Sequence, residues 1–505
     1  MVAPDIGRGT GALGYGRGVP SPVVLGSRGM TIRDVVDVAR RGVPVELAPD
    51  AVAAMAATRA HVEALDASDR PAYGVSTGFG GLATTAIPPD RRDRAQRALI
   101  ASHAAGLGDP VEPEVVRAMI VLRARTLATG ITGARPELAA ALLGLLDRDP
   151  LPEVPEFGSL GCSGDLAPLA HVAAALELPL EAKEGLALVN GTDGMLGMLA
   201  LACVDLADLL RAADIAAAMS VEGLLGTDRA FAADLVALRP QVGQQASAAN
   251  LTSLLAGSAI VASHRTGDPR VQDAYSLRCA PQVHGAARDA LGFAETCATR
   301  EMSAAIDNPV VLPDGRIESV GNFHGAPLAH ACDLLAIVVA DVAAMSERRT
   351  DRFLDAARSH GLPPFLADEP GVDSGLMIAQ YTAAALVAET RRLAVPASVD
   401  NVPTSAMQED HVSMGWSAAR KLRTALGHLG RVLGIEAATA ARGIDLRAPL
   451  DPAPATRAAR DALRSAGVGG PGPDRPLAPE LEAAAAVVSS GALVAAVELE
   501  VGPLA

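Results

Sequence analysis

The chain has 505 residues, half of them hydrophobic and only 2% aromatic, which allows one large or several ordinary domains with well-filled cores. A net charge of −15 leaves no basic surplus to neutralise phosphates, so nucleic acid and anionic membrane surfaces are not expected partners. Lysine occurs only at Lys183 and Lys421, so a pyridoxal enzyme, which needs a lysine for its Schiff base, would have to rely on Lys183.

Residues 1–28, rich in Gly, Arg and Pro, read as a flexible N-terminal extension without the apolar core of a secretory signal. They contain "GTGALG" (Gly9 to Gly14), which fits G-x-G-x-x-G, but no strand precedes it and a dinucleotide site is not expected. Residues 29–505 read as a single unit, 29–190 forming an N-terminal part and 191–505 a long-helix bundle with a C-terminal helical part. From Met30 onward, apolar residues recur at three- and four-residue spacing in "TIRDVVDVARRGV", "DAVAAMAATRAHVEAL", "PEVVRAMIVLRARTLATG" and "RPELAAALLGLLDRDP". Further helices are expected around 195–226, 246–264, 326–347, 375–394, 406–441 and 479–499. Pro240 to His264 lacks charged residues but is broken too often by Gln, Ser, Asn and Gly for a membrane span. One β signal, "VVLPDGRIESV" (Val310 to Val320), predicts a small hairpin. The expected fold is mainly α: a large bundle of long helices joined by polar, Gly-rich loops. The five cysteines, odd in number and without a C-x-x-C pair, suit a reduced, cytoplasmic protein.

The most informative stretch is "FGSLGCSGDLAPLAH", Phe157 to His171. It is not a serine-hydrolase elbow, because Asp165 follows Gly164 and no strand leads into it. A Cys162 nucleophile would want a histidine nearer than His171. Asp165 suits the N-cap of a helix beginning at Leu166, with Pro168 tolerated in the first turn, and on spacing alone a capping loop is sufficient. A third reading uses the backbone. Attack of the Gly164 amide nitrogen on the carbonyl carbon of Cys162, with loss of two waters, would close an imidazolone ring. Dehydration of the Ser163 side chain would leave an exocyclic methylene, a strong electrophile. Residue 162 then contributes only backbone.

This stretch resembles the cofactor-forming segment of the aromatic amino acid ammonia-lyases. "YGVSTGFG", "KEGLALVNGTDG", "QDAYSLRCAPQV", "IDNPVV", "GNFHGAP" and "SAMQEDHVSMG" resemble other segments of that family, in family order from about Met30 to the C-terminus. The resemblance implies a 4-methylidene-imidazol-5-one formed from Cys162, Ser163 and Gly164, with no metal, pyridoxal phosphate or nucleotide. Tyr73 would be the base at the substrate β-carbon, with Glu409 as rival or partner. Tyr275 and Asn190 would hold the cofactor and the amino group, Arg278 would grip the carboxylate, and Gln272 and Phe323 would line the pocket.

Ser102-His103 and Glu409 resemble the family members that act on histidine, where a carboxylate and an imidazole suit a ring hydrogen-bonded on both nitrogens. The implied reaction is elimination of ammonia from L-histidine to urocanate, the alternatives being another aromatic lyase or a 2,3-aminomutase. The family also implies a homotetramer whose active sites combine residues from several chains. Taken singly, most of these residues have plainer explanations; Ser405-x-x-Gln408, for one, makes a good capping box. Three features depart from the family pattern. Asp193 stands where many relatives have glutamine, Ser76 stands where many have asparagine, and the segment between His171 and Lys183 is shorter than usual.

Overall fold

The structure, a computed structural model, describes residues 21–26, 29–68 and 72–505. The "GTGALG" segment lies outside the described residues. Part of the stretch assigned to the flexible extension is built into the fold: Val23–Leu25 pairs in parallel with Val45–Leu47, and Leu25 is buried. Two short β-branched runs thus find each other across the intervening helix Ile32–Arg41.

The architecture is the expected helical bundle. Its centre is made by four long helices, Asp193–Gly223, Ala280–Ser303, Ala326–Leu354 and Gly415–Asp445. The longest have 31 residues and therefore run about 46 Å. Small side chains let them approach closely. The ring of Phe353 fills the space where β-carbons of Gly223 and Gly443 would sit, at 2.6 and 2.5 Å. Gly243 and Gly285 likewise bring the helix Val242–Leu254 against Ala280–Ser303 with backbone touching backbone. The helix Ala326–Leu354 is long and apolar enough to cross a membrane, but 56% of its most apolar stretch is buried inside the bundle.

Residues Val310–Val311 and Ile317–Glu318 form the antiparallel hairpin read from the sequence. Several helix boundaries differ. The stretch expected as one helix over 246–264 is two, Val242–Leu254 and Ala259–Ala262, and 479–499 divides into Ala478–Ser489 and Ala492–Val501. The helix expected from 406 begins only at Gly415. Ser405, Ala406 and Met407 instead take left-handed φ values of 51°, 52° and 70°, conformations no right-handed helix contains. The capping box does not form; the Ser405 hydroxyl accepts from the Gly81 amide at 3.0 Å.

Candidate active site

The Cys162-Ser163-Gly164 tripeptide sits in the loop between the helix Leu166–Ala174 and a short strand, Pro155–Phe157, which the sequence did not suggest and which pairs with Leu107–Pro110. Gly164 has φ 74°, and a β-carbon there would lie 2.0 Å from the Gly191 carbonyl oxygen, so no other residue fits. The Asp165 amide donates to that same carbonyl at 2.7 Å. Asp165 precedes the helix Leu166–Ala174 but its side chain does not cap it. Its carboxylate instead accepts from the Gly194 and Met195 amides, both at 2.9 Å, and so caps the long helix Asp193–Gly223. The other oxygen accepts from Ser159 Oγ at 2.9 Å. Burial pushes the Asp165 carboxyl up to about 7 against the pull of these donors.

Two more helix starts converge on this loop. The Met414 amide, one residue before Gly415–Asp445, donates to the Leu160 carbonyl at 2.8 Å, and Ser413 Oγ donates to the Gly161 carbonyl at 2.8 Å. Gly325, which caps Ala326–Leu354, packs so closely that a β-carbon would sit 2.9 Å from Ser413 Oγ. Three helix N-termini therefore converge on the loop that carries the tripeptide. These features fit the internal ring: position 164 accepts only glycine, and the Ser163 side chain faces open space.

That space is a cleft of about 760 Å³ lined by Tyr73, His103, Ser163, Asn190 and Glu409. The phenolic oxygen of Tyr73 accepts from the Gly80 amide at 3.1 Å, and its ring meets Phe79 edge-on at 6.4 Å. Asn190 is buried despite the short segment upstream, and its amide donates to the Asn308 carbonyl at 2.9 Å. Glu409 is held by Thr404, whose hydroxyl donates to Oε2 at 2.6 Å, while Oε1 lies 3.5 Å from Ser163 Oγ. His103 closes the helix Arg92–His103 beside Ser102 Oγ at 3.2 Å. Burial lowers its pKa, only partly offset by the Leu99 carbonyl and the Glu409 charge, so the ring is neutral at neutral pH. Burial, reinforced by Glu409, pushes the Cys162 thiol up to about 11, which leaves it protonated and unreactive.

The remaining candidate residues lie elsewhere. Gln272 lines a different depression with Arg229 and Arg270, and Tyr275 is 70% exposed. The Arg278 guanidinium lies 4.6 Å over the Tyr275 ring, with Nε donating to the Asp273 carbonyl at 2.9 Å. Among the described residues its two terminal nitrogens make no hydrogen bond or ion pair, so the fork is open. Phe323 is half-buried outside the cleft, in the loop where His324 stacks on His411 at 5.4 Å. Lys183 is no free amine: it is fully buried and paired with Asp307 at 2.5 Å. Asp193 is also buried, 3.4 Å from Arg123.

Sequence reading assigns Thr404 and Asn308 no role and Ser405 only that of a helix cap. Ser405 joins the Tyr73 loop to the Glu409 loop, a function that the S-x-x-Q pattern disguises as a helix cap. Asn308 lies in the "IDNPVV" match, which was the available signal.

The model for the aromatic amino acid lyase family matches residues 30–178 and 177–465. A histidine ammonia-lyase of Streptomyces coelicolor is 58% identical over 95% of this chain and 99% of its own length. Another from Sorangium cellulosum is 46% identical over 95% of this chain and 100% of its own. Among solved structures, a tyrosine aminomutase from Streptomyces globisporus superposes with a TM-score of 0.90 at 33% identity, covering 96% of this chain and 100% of that one. A histidine ammonia-lyase from Trypanosoma cruzi gives 0.86 at 35% identity, covering 95% of each. The chain belongs to the aromatic amino acid lyase family.

Proposed function

We propose that this chain is a carbon–nitrogen lyase that eliminates ammonia from L-histidine to give urocanate, the first step of histidine degradation. The observation that carries the choice of substrate is the pairing of neutral His103 with Glu409 in one cleft beside Ser163. An imidazole substrate can donate one ring N–H to the Glu409 carboxylate and exchange a hydrogen bond with His103 through its other nitrogen. An apolar ring would leave both groups unpaired. The names carried by the relatives support the same reading.

Cys162, Ser163 and Gly164 would form the 4-methylidene-imidazol-5-one, which would supply the electrophile that makes the amine a better leaving group. The chain's own residues do the rest. Tyr73, its oxygen anchored by Gly80, takes the β-proton, with Glu409 sharing or replacing it in that role. The freed C–H pair becomes the Cα–Cβ double bond, the Cα–N bond breaks, and its pair leaves with the nitrogen as ammonia. Asn190 holds the amino group. The open fork of Arg278 binds the carboxylate, and Tyr275 stacks beneath it. No step is assigned to a metal, pyridoxal phosphate or nucleotide.

In one chain the Tyr275 and Arg278 cluster is separate from the cleft, and its exposure supports a homotetramer in which neighbouring subunits complete each site. Gln272 and Phe323 complete the pocket walls on the same basis. The free cysteines and acidic surface suit the reducing cytoplasm.

The test is incubation with L-histidine while following urocanate absorbance, alongside an intact mass that lacks two waters. Turnover of L-tyrosine or L-phenylalanine but not histidine would overturn the substrate, and formation of a β-amino acid would indicate an aminomutase. Comparing kcat of Tyr73→Phe with that of Glu409→Gln separates the two candidate bases.

A further inference from the structure

Behind the exposed Tyr275–Arg278 turn lies a buried ion pair to which the chemistry above gives no part. Arg349, on the helix Ala326–Leu354, and Glu436, on Gly415–Asp445, are both fully buried. Arg349 Nε donates to Glu436 Oε1 at 2.5 Å and Nη2 donates to Oε2 at 2.8 Å, a bidentate fork. Ser220 Oγ, from Asp193–Gly223, donates to the same Oε1 at 2.7 Å. The third nitrogen, Arg349 Nη1, donates to the Ser276 carbonyl at 3.2 Å. Three core helices and the turn thus meet at one ion pair.

The turn's other ties are its own backbone bonds, the Arg278 Nε bond to the Asp273 carbonyl and its junction with the helix Ala280–Ser303. The turn itself is four residues long, without a side-chain cap, and Leu277 is its one fully buried side chain. A buried pair costs desolvation that apolar residues of similar size avoid, so its presence calls for a role beyond stability. Here that role is geometric. With both ends of the fork occupied by Glu436, the angle at which Nη1 meets the Ser276 carbonyl is set by the bundle core. Along the chain Ser276 stands between Tyr275 and Arg278, within the same single turn.

We infer that Arg349, locked by Glu436, is a positioning residue for substrate carboxylate binding, acting through Ser276 on Tyr275 and Arg278. The inference rests on the proposed reading of Arg278 as the carboxylate fork. Lysine cannot substitute, since one ammonium cannot span Glu436 in two places and still reach the carbonyl.

The test uses the full-length enzyme with Arg349→Lys, Glu436→Gln and the apolar pair Arg349→Met with Glu436→Leu, the last keeping a filled core should the first two fold poorly. Hydrogen exchange at the Leu277, Arg278 and Cys279 amides, which bond within the turn, is expected to accelerate in all three. KM for L-histidine is expected to rise about tenfold with kcat changed less than about threefold. Binding of urocanate should weaken, while that of histamine, which has the imidazole and no carboxylate, should not. Combining Arg349→Lys with Arg278→Lys should be no worse than Arg278→Lys alone. Unchanged exchange in the turn, equal weakening of histamine, or additive losses would each overturn the inference. The exchange measurement needs no turnover, so it reports on the turn even if the wild-type enzyme ignores histidine, a result that would count against the proposed function instead.

Discussion

At the residue scale, Cys162 and Ser163 invite interpretation as a nucleophile pair, and their surroundings oppose it. The Cys162 thiol is held up to about 11 by burial and by Glu409, and neither group has a histidine base in its hydrogen bonds. Cys162 should act through its backbone alone. Cys162→Ala is therefore expected to retain ring closure and activity within about threefold of wild type. Ser163→Ala should show only a single-water loss or none in the intact mass, and kcat lower by about 10³ or more, since an activating electrophile is commonly worth that much. A fully active Ser163→Ala enzyme would contradict the ring. Glycine at 164 is required by the Gly191 carbonyl 2.0 Å from its would-be β-carbon, a constraint that no property of the tripeptide itself reveals.

At the scale of elements, the decisive fact is which helix each cap serves. Asp165 was legible in the sequence as a capping residue, but the helix it caps is Asp193–Gly223, not the one that follows it. Propensity describes a side chain's taste for free amides; it does not say whose amides arrive. The same limitation hid the start of Gly415–Asp445, where three left-handed residues carry the chain past the site before the helix begins. The local pattern at Ser405 was satisfied by a rival donor, Gly81, from a loop more than three hundred residues away. Asp165→Ala should leave two helix amides and Ser159 without their acceptor, costing about 2–4 kcal/mol in denaturant unfolding. It should also lower the fraction of chains with a closed ring, read by intact mass, because the loop loses its tie to the helix end. A variant with wild-type stability and full closure would show that the cap is dispensable.

At the scale of the whole molecule, two predictions follow from how the helices share polar groups and how the site is divided. Asp214, fully buried, accepts from Ser247 at 2.5 Å, His284 at 2.7 Å, Asn250 at 2.9 Å and Arg288 at 2.7 Å, drawing three helices together. Burial alone would raise its pKa, but Arg288 with His284 and Ser247 overcomes this and holds it at about 2, below the ordinary 3.8. A depressed carboxylate stabilises the fold above the unfolded value, and that stability drains away as pH falls toward the folded one. The amount is about 2 kcal/mol. Wild-type unfolding free energy should accordingly fall more steeply between pH 4 and about 2 than that of Asp214→Asn, which cannot titrate there. Equal slopes would remove Asp214 from the account. The proposed sharing of the site predicts complementation: inactive Ser163→Ala and inactive Arg278→Met chains, co-refolded, should regain part of the activity. Mixed tetramers would pair an intact cleft with an intact fork, and no recovery would mean that each chain builds its site alone.

Composition, helical periodicity and the order of the matched segments were enough to determine the fold class and the hairpin at 310–320. Each of these depends on covalent neighbours, and covalent order is what a sequence states. Only the tertiary structure decided that Val23–Leu25 belongs to the fold, that Asp165 caps a helix beyond its own, and that Glu409 comes to lie 3.5 Å from Ser163 across 246 positions. It alone separated Tyr73, His103, Asn190 and Glu409 from Gln272, Tyr275 and Arg278. These are outcomes of competition among distant donors and acceptors for the same few buried positions, and that competition is settled by packing.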